Sequence, residues 1–213
     1  MGLNILNECF DKIYVITLEN SERENRVSKV LDGIDFEFFY GVNGEFLNVD
    51  EFRKNGSNLQ RGQLGCALSH IKVYEKIVES NYDKVLVLED DILITEDISQ
   101  LKSYMDQLPE DWGLFYLGHD GPVVRNTYSN NLCEINRSNP LILHCTHAIA
   151  IKLWFAKKMV EMNKNVVHTA DGLFTQAVIQ NDLKTYALVM DVVKFSLRVP
   201  IINLSLQMKV MAS

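Results

Sequence analysis

Between two aliphatic runs the chain sets three adjacent acids, Glu89-Asp90-Asp91, in the segment VLVLEDDILI. The four consecutive aliphatics Val85 to Leu88 suit the middle of a parallel sheet covered on both faces, where no polar alternation is needed. The acids therefore fall where such a strand emerges. Burying an unpaired carboxylate costs several kcal/mol or its charge, so three together require water, cationic partners or a metal. Hard oxygen ligands at a strand end suit Mg2+ or Mn2+. The same letters also fit a solvated acidic turn in which one acid caps the next helix.

The rest of the chain alternates strand-like and helix-like stretches. Lys12 to Leu18 (KIYVITL) is β-branched and aromatic, the profile of a buried first strand. A helix is predicted from about Glu22 to Leu31, and a second strand over Phe36 to Tyr40 ending at the turn Gly41-Val42-Asn43-Gly44. Val49 to Gly62 is polar and reads as a loop with one short helix. From Gln63 to Glu79 the apolar positions Leu64, Ala67, Leu68, Ile71, Tyr74 and Val78 recur at three- and four-residue steps, which predicts an amphipathic helix. Further strands are predicted at Leu114 to Leu117 and Ile142 to Ile151, and helices at Phe155 to Met162 and Leu173 to Gln180. The alternation predicts an α/β fold with a mostly parallel sheet, whose ligands sit at the carboxyl ends of the strands.

With 213 residues, 47% of them hydrophobic, the chain fits a single domain (1–213) with a substantial core. A formal charge of −7 argues against a general nucleic-acid binder, which needs a basic footprint. It does not exclude one anionic ligand, because a bound divalent cation reverses the sign of a local site. The opening MGLNILNECFDKIYVITLEN does not read as a signal peptide, and no apolar run is long enough to span a membrane. Cys9, Cys66, Cys133 and Cys145 are scattered without zinc-type pairing and read as free buried thiols in a reducing compartment, the cytoplasm.

The predicted long helix opens with RGQLGCALSH. His70 lies on the flank of its apolar face with Cys66, where a histidine is usually a core or partner-bonded residue, and Ser69 lies nearly opposite that face. Gly65 reads as a point of close packing against a strand or ligand. Ser69 and His70 point about 100° apart on a helix, a poor placement for a nucleophile and its base. A receiver domain, which also opens with an aliphatic strand ending in an acidic pair, is excluded. It needs a phosphoacceptor Asp ending a later strand, and no Asp lies between Asp120 and Asp171.

Taken in order, KIYVITLENSERENR, FEFFYGVNG, GQLGCALSH, KVLVLEDDI and WGLFYLG, with HAIAIKLWFAKKM and TADGLF as weaker additions, resemble glycosyltransferase family 25 over about residues 11–175. That family contains lipopolysaccharide and collagen galactosyltransferases. The resemblance implies a GT-A type nucleotide-diphospho-sugar transferase fold, a Rossmann-like, mostly parallel sheet with helices on both faces. Its E-x-D motif falls on Glu89 and Asp91 with Asp90 between. By that match Asp91 ligates a Mn2+ or Mg2+ ion bridging the donor diphosphate, and Glu89 meets the metal or the ribose side. Ser21 and Arg23 match a Ser-x-Arg after the first strand, where a nucleotide enters and an arginine can pair with phosphate. Arg26, one turn on, is a weaker candidate for the same task. Thr17, Leu18, Asn43, Gly65, Ser69, His70 and Asp90 complete the implied donor site, and Asp171 matches a late Asp that serves as acceptor contact or catalytic base. Asp171 also reads as the N-cap of the helix that follows it.

The pattern departs from the family at several points. Asn43 and Gln63 stand where acids are common, Ile149 where Tyr is common, and the segment after Asp171 lacks the usual proline-containing strand. The expected activity is transfer of a hexose, galactose first and glucose second, from a UDP-sugar to a hydroxyl on a glycan, a lipid-linked glycan or a collagen-like chain, with inversion. A nucleotide-sugar-binding relative that no longer transfers, and a metal-dependent hydrolase or nucleotidyltransferase, are the alternatives. The hydrophobic tail after Val199 fits a final core element, a dimer contact or a peripheral membrane-surface anchor.

Overall fold

A computed structural model describes residues 4–120, 128–136, 144–189 and 192–195. In chain order the elements are α1 (Ile5–Cys9), β1 (Lys12–Thr17), α2 (Arg23–Val30), β2 (Glu37–Tyr40), α3 (Val49–Arg53), α4 (Arg61–Ser80), β3 (Lys84–Glu89), β4 (Ile92–Ile94), α5 (Leu101–Met105), β5 (Leu114–Asp120), β6 (Leu132–Ile135), β7 (His144–Lys152), α6 (Leu153–Met162), α7 (Ala170–Asn181), β8 (Thr185–Leu188) and β9 (Val193–Phe195). Seven strands form one sheet in the order β2-β1-β3-β7-β5-β8-β6, and β4 pairs with β9 in a small second sheet.

β1, β2 and β3 are mutually parallel, and β5 is parallel to β8. β7 runs antiparallel between β3 and β5, and β6 runs antiparallel to β8. β1, β2, β3, β5 and β8 therefore share one direction, five of the seven strands, as the α/β reading expects of a mostly parallel sheet. The strand expected at Ile142 to Ile151 is β7, with its first two expected residues outside the described ones. Its reversed direction is not a property of its own letters. Apolar periodicity records which face is buried, not which way the strand runs.

Both faces of the sheet are covered, and the strands alternate between two cores. Tyr14, Val85, Val87, Leu114, Tyr116, Ile149 and Ile151 face α4, α6 and α7, packing against Leu64, Ile71, Phe155 and Phe174. Ile13, Val15, Leu86, Leu88, Phe115, Leu117, Ala148 and Ala150 face the other way, toward Leu6, Phe10, Val27, Leu31, Leu101 and Trp112. An apolar run with no polar alternation, as in Val85 to Leu88, is what burial on both faces requires. Among the described residues no helix is long and apolar enough to cross a membrane.

Cys9 and Cys133 are buried, but Cys66 is exposed and Cys145 half-buried, a correction to the expectation of four buried thiols. Cys66 is exposed because its side of α4 faces an open cleft rather than the sheet. The tail after Val199 lies outside the described residues.

Candidate functional site

The carboxyl ends of β1, β2 and β3 open into a cleft of about 760 Å3, within the range of small-molecule sites. Its walls are the end of β1 (Ile16, Thr17, Leu18), the following loop with Ser21 and Arg23, the turn Val42 to Glu45, one side of α4 (Arg61, Gly62, Cys66, Ser69, His70), and Glu89 and Asp90 from the end of β3.

Glu89 of the acidic triplet ends β3, and Asp90 and Asp91 form the two-residue turn that leads into β4. A strand follows it rather than a helix, so no acid of the three serves as a helix cap. The turn is not freely solvated either. Asp90 is buried, its Oδ2 accepting from Thr17 Oγ1 at 2.7 Å and its Oδ1 from Arg23 Nη1 at 2.8 Å. The same Arg23 nitrogen reaches Asp91 Oδ2 at 3.1 Å. One guanidinium thus bridges two aspartates across the mouth of β1, which lends rigidity to the turn.

Glu89 takes a different set of partners. Its Oε1 accepts from Thr146 Oγ1 at 2.7 Å and lies 3.2 Å from His70 Nε2, while His70 Nδ1 lies 3.0 Å from Tyr74 Oη. Burial alone would push the carboxyl of Glu89 up, but His70 and Thr146 hold it below the usual range. Burial likewise opposes charge on His70, yet hydrogen bonds to Cys66 and Glu89 raise it to about 9.

Asp91 is the contrast. Burial, and then the negative charge of Glu89, push it up to about 6 against the pull of Arg23. Its Oδ1 is buried with no hydrogen-bond partner. A carboxylate oxygen in that state is short of a cation, and the hard oxygens of Asp91 and Glu89 suit Mg2+ or Mn2+. The residues present therefore fit the ion the family implies. Asp91 itself is not among the residues lining the cleft, whereas Glu89 and Asp90 are.

The turn after β2 is locked onto α4. Ser69 Oγ accepts from Val42 N at 2.8 Å and donates to Gly65 O at 2.6 Å. Ser69 is buried rather than turned away from the packed face, because the turn covers that side of the helix. Gly65 is the predicted point of close approach. A Cβ there would come within 2.8 Å of both Val42 O and Gly44 N, all backbone. The neutral Asn43 and Gln63 have local work, since Asn43 Oδ1 accepts from Glu45 N and Gln63 Oε1 accepts from Gln60 N to complete a capping box.

Asp171 lies elsewhere on the same sheet end. It is the second residue of α7, and the N-cap is Thr169, whose hydroxyl accepts from Gly172 N at 3.3 Å. The capping role expected of Asp171 belongs to Thr169, because the helix begins before Asp171. Asp171 Oδ2 lies 3.4 Å from Nδ1 of His144, the exposed first residue of β7. Of the sequence candidates, Thr17, Leu18, Ser21, Arg23, Asn43, Ser69, His70, Glu89 and Asp90 line the cleft; Gly65, Asp91, Arg26 and Asp171 do not. Arg61, Cys66, Glu45 and Thr146 escaped the sequence reading. Cys66 alone carried a usable signal, its four-residue spacing from His70.

Residues 10–176 match the profile of glycosyltransferase family 25, described as an LPS biosynthesis protein. Procollagen galactosyltransferase 2 of Homo sapiens is 28% identical over 179 residues, covering 72% of this chain and 28% of that protein. A protein called a putative glycosyltransferase in Haemophilus influenzae is 26% identical over 145 residues, covering 63% of this chain and 51% of its own length. The chain thus spans about half or less of these relatives. The crystal structure of a glycosyltransferase involved in glycosylation of the major capsid of PBCV-1 superimposes with a TM-score of 0.44 at 9% identity, over 84% of this chain and 81% of that one.

Proposed function

The chain belongs to glycosyltransferase family 25, and from that premise we propose that it transfers a hexose from a UDP-sugar to an acceptor hydroxyl. Galactose is the first donor sugar to test and glucose the second. The acceptor class is a glycan, a lipid-linked glycan of the lipopolysaccharide type or a collagen-like chain. The work is assigned to the cytoplasm, at a membrane surface where the acceptor is lipid-linked.

One observation carries the reading. An open cleft at the carboxyl ends of three parallel strands has carboxylates at its floor, and the adjoining Asp91 keeps a buried oxygen without a donor. Glu89 and Asp91 would hold a Mn2+ or Mg2+ ion, which would supply positive charge to neutralise the leaving nucleoside diphosphate. The protein's own groups do the rest. His70 and Thr146 orient Glu89, and Thr17 and Arg23 fix the turn through Asp90. Arg23, part of whose side chain is exposed, and Arg61 across the cleft are the cations available to the donor phosphates. Asp171 is the proposed base that takes the proton of the acceptor hydroxyl, with His144 beside it.

Melting curves with UDP, UDP-galactose and UDP-glucose, each with and without Mn2+, test the donor site on the wild type and Asp91→Ala. A ligand at 100 times its dissociation constant stabilises by about 2.7 kcal/mol, roughly 5–10 °C for a chain of this size. A Mn2+-dependent shift lost in the variant supports the reading and ranks the sugars. No shift with any nucleotide overturns it. Binding without turnover across an acceptor panel would leave a nucleotide-sugar-binding protein in its place.

A further inference from the structure

Beside the acidic turn stands a second set of donors with a different chemistry. Cys66, His70 and Glu89 each offer one ligand atom, and the three atoms lie within 4.8 Å of one another. Tetrahedral zinc holds such atoms about 3.3–3.8 Å apart, so small side-chain rotations close the set. Cys66 and His70 are four residues apart on α4, the spacing that brings two ligands onto one helix face. The third comes from the end of β3. All three line the cleft, so a fourth position faces open space, the arrangement of an open zinc site.

The surrounding groups are already in place. For Nε2 of His70 to bind a metal, Nδ1 must carry the proton and find an acceptor, and Tyr74 Oη lies 3.0 Å from it. Thr146 Oγ1 donates to Glu89 Oε1 at 2.7 Å, which orients the carboxylate. A sulfur, an imidazole nitrogen and one oxygen favour a borderline-soft ion over Mg2+ or Mn2+.

We propose that Cys66, His70 and Glu89 form a binding site for a zinc-class divalent cation, which shares Glu89 with the hard-cation site at Glu89 and Asp91 but draws its other donors from α4. The site stands on its own donors and does not depend on the transferase reading. One corollary does: because both sets use Glu89, zinc and the hard ion exclude each other.

Cobalt(II) tests it directly, as a coloured substitute for zinc. Titrating the full chain with Co2+ should produce a near-ultraviolet thiolate-to-cobalt charge-transfer band together with intense visible bands of a tetrahedral centre, and equimolar Zn2+ should bleach both. Cys66→Ser, a change at an exposed position, should abolish the charge-transfer band, while Cys145→Ser should keep it. Thr146→Val should keep the band and weaken zinc binding about 10- to 100-fold, the cost of losing an orienting partner. Asp91→Asn should keep the band even as it removes Mn2+-dependent nucleotide binding, so the two sites can fail separately. No band in the wild type, or a band that survives Cys66→Ser, overturns the proposal.

Discussion

Asp91 bears a charge that its surroundings do not fully answer. Its folded pKa of about 6 lies above the ordinary 3.8, so the folded protein binds the extra proton. In the metal-free protein the penalty therefore starts as pH rises past about 4 and is complete above about 6. Asp91→Asn should raise the melting temperature in chelator at pH 7.5, by about 2–4 °C for each kcal/mol relieved, and change it little at pH 4. The same variant should lose the Mn2+-dependent response to nucleotide. Asp171→Asn should behave differently. Asn Oδ1 can keep the bond to Gly172 N, so melting should be unchanged while turnover falls roughly 10²- to 10⁴-fold, the worth of a general base. Equal, mild losses from both variants would remove these assignments. At this scale the letters Glu-Asp-Asp revealed that a cluster of charge needed partners. They could not reveal that the middle acid would take Thr17 and Arg23, because those partners are 73 and 67 residues away.

The helix α4 and the turn after β2 act as one unit, joined by Ser69 and by the missing side chain of Gly65. Gly65→Ala would drive a methyl into the backbone of Val42 and Gly44, which neither can yield without moving the turn. Overpacking of this kind costs about 1–3 kcal/mol. The expected result is a lower melting point together with weaker nucleotide binding, since the displaced turn is a cleft wall. An unchanged affinity would show that the turn does not touch the donor. The long apolar periodicity makes α4 legible from Gln63 onward, while its first residues, Arg61 and Gly62, carry no period and follow a Gln60–Gln63 capping box that lacks the usual Ser/Thr signal. β6, β8 and β9, of four, four and three residues, were not legible. Segments that short carry too few alternations to show a period, and long-range pairing rather than local preference holds them in place.

Across the whole molecule, His70 ties α4 to β3 and β7 through Glu89 and Thr146. Burial favours the neutral ring, but the hydrogen bonds to Cys66 and Glu89 prevail and set the folded value at about 9 against 6.5. A group whose folded pKa is raised stabilises fully below its unfolded value and loses that contribution as pH climbs to the folded one. The metal-free protein should therefore show a decline in melting temperature between about pH 6.5 and 9, absent in His70→Gln and separate from the Asp91 window. β4, the strand leaving the acidic turn, pairs along its whole length with β9, and β8 sits inside the sheet between β5 and β6. The family profile stops at residue 176, before either strand begins. An expression fragment cut at that boundary would lose an interior plank of the sheet and the clasp on the strand that leaves the acidic turn, so the best recognised stretch of the described sequence leans on the least recognised one.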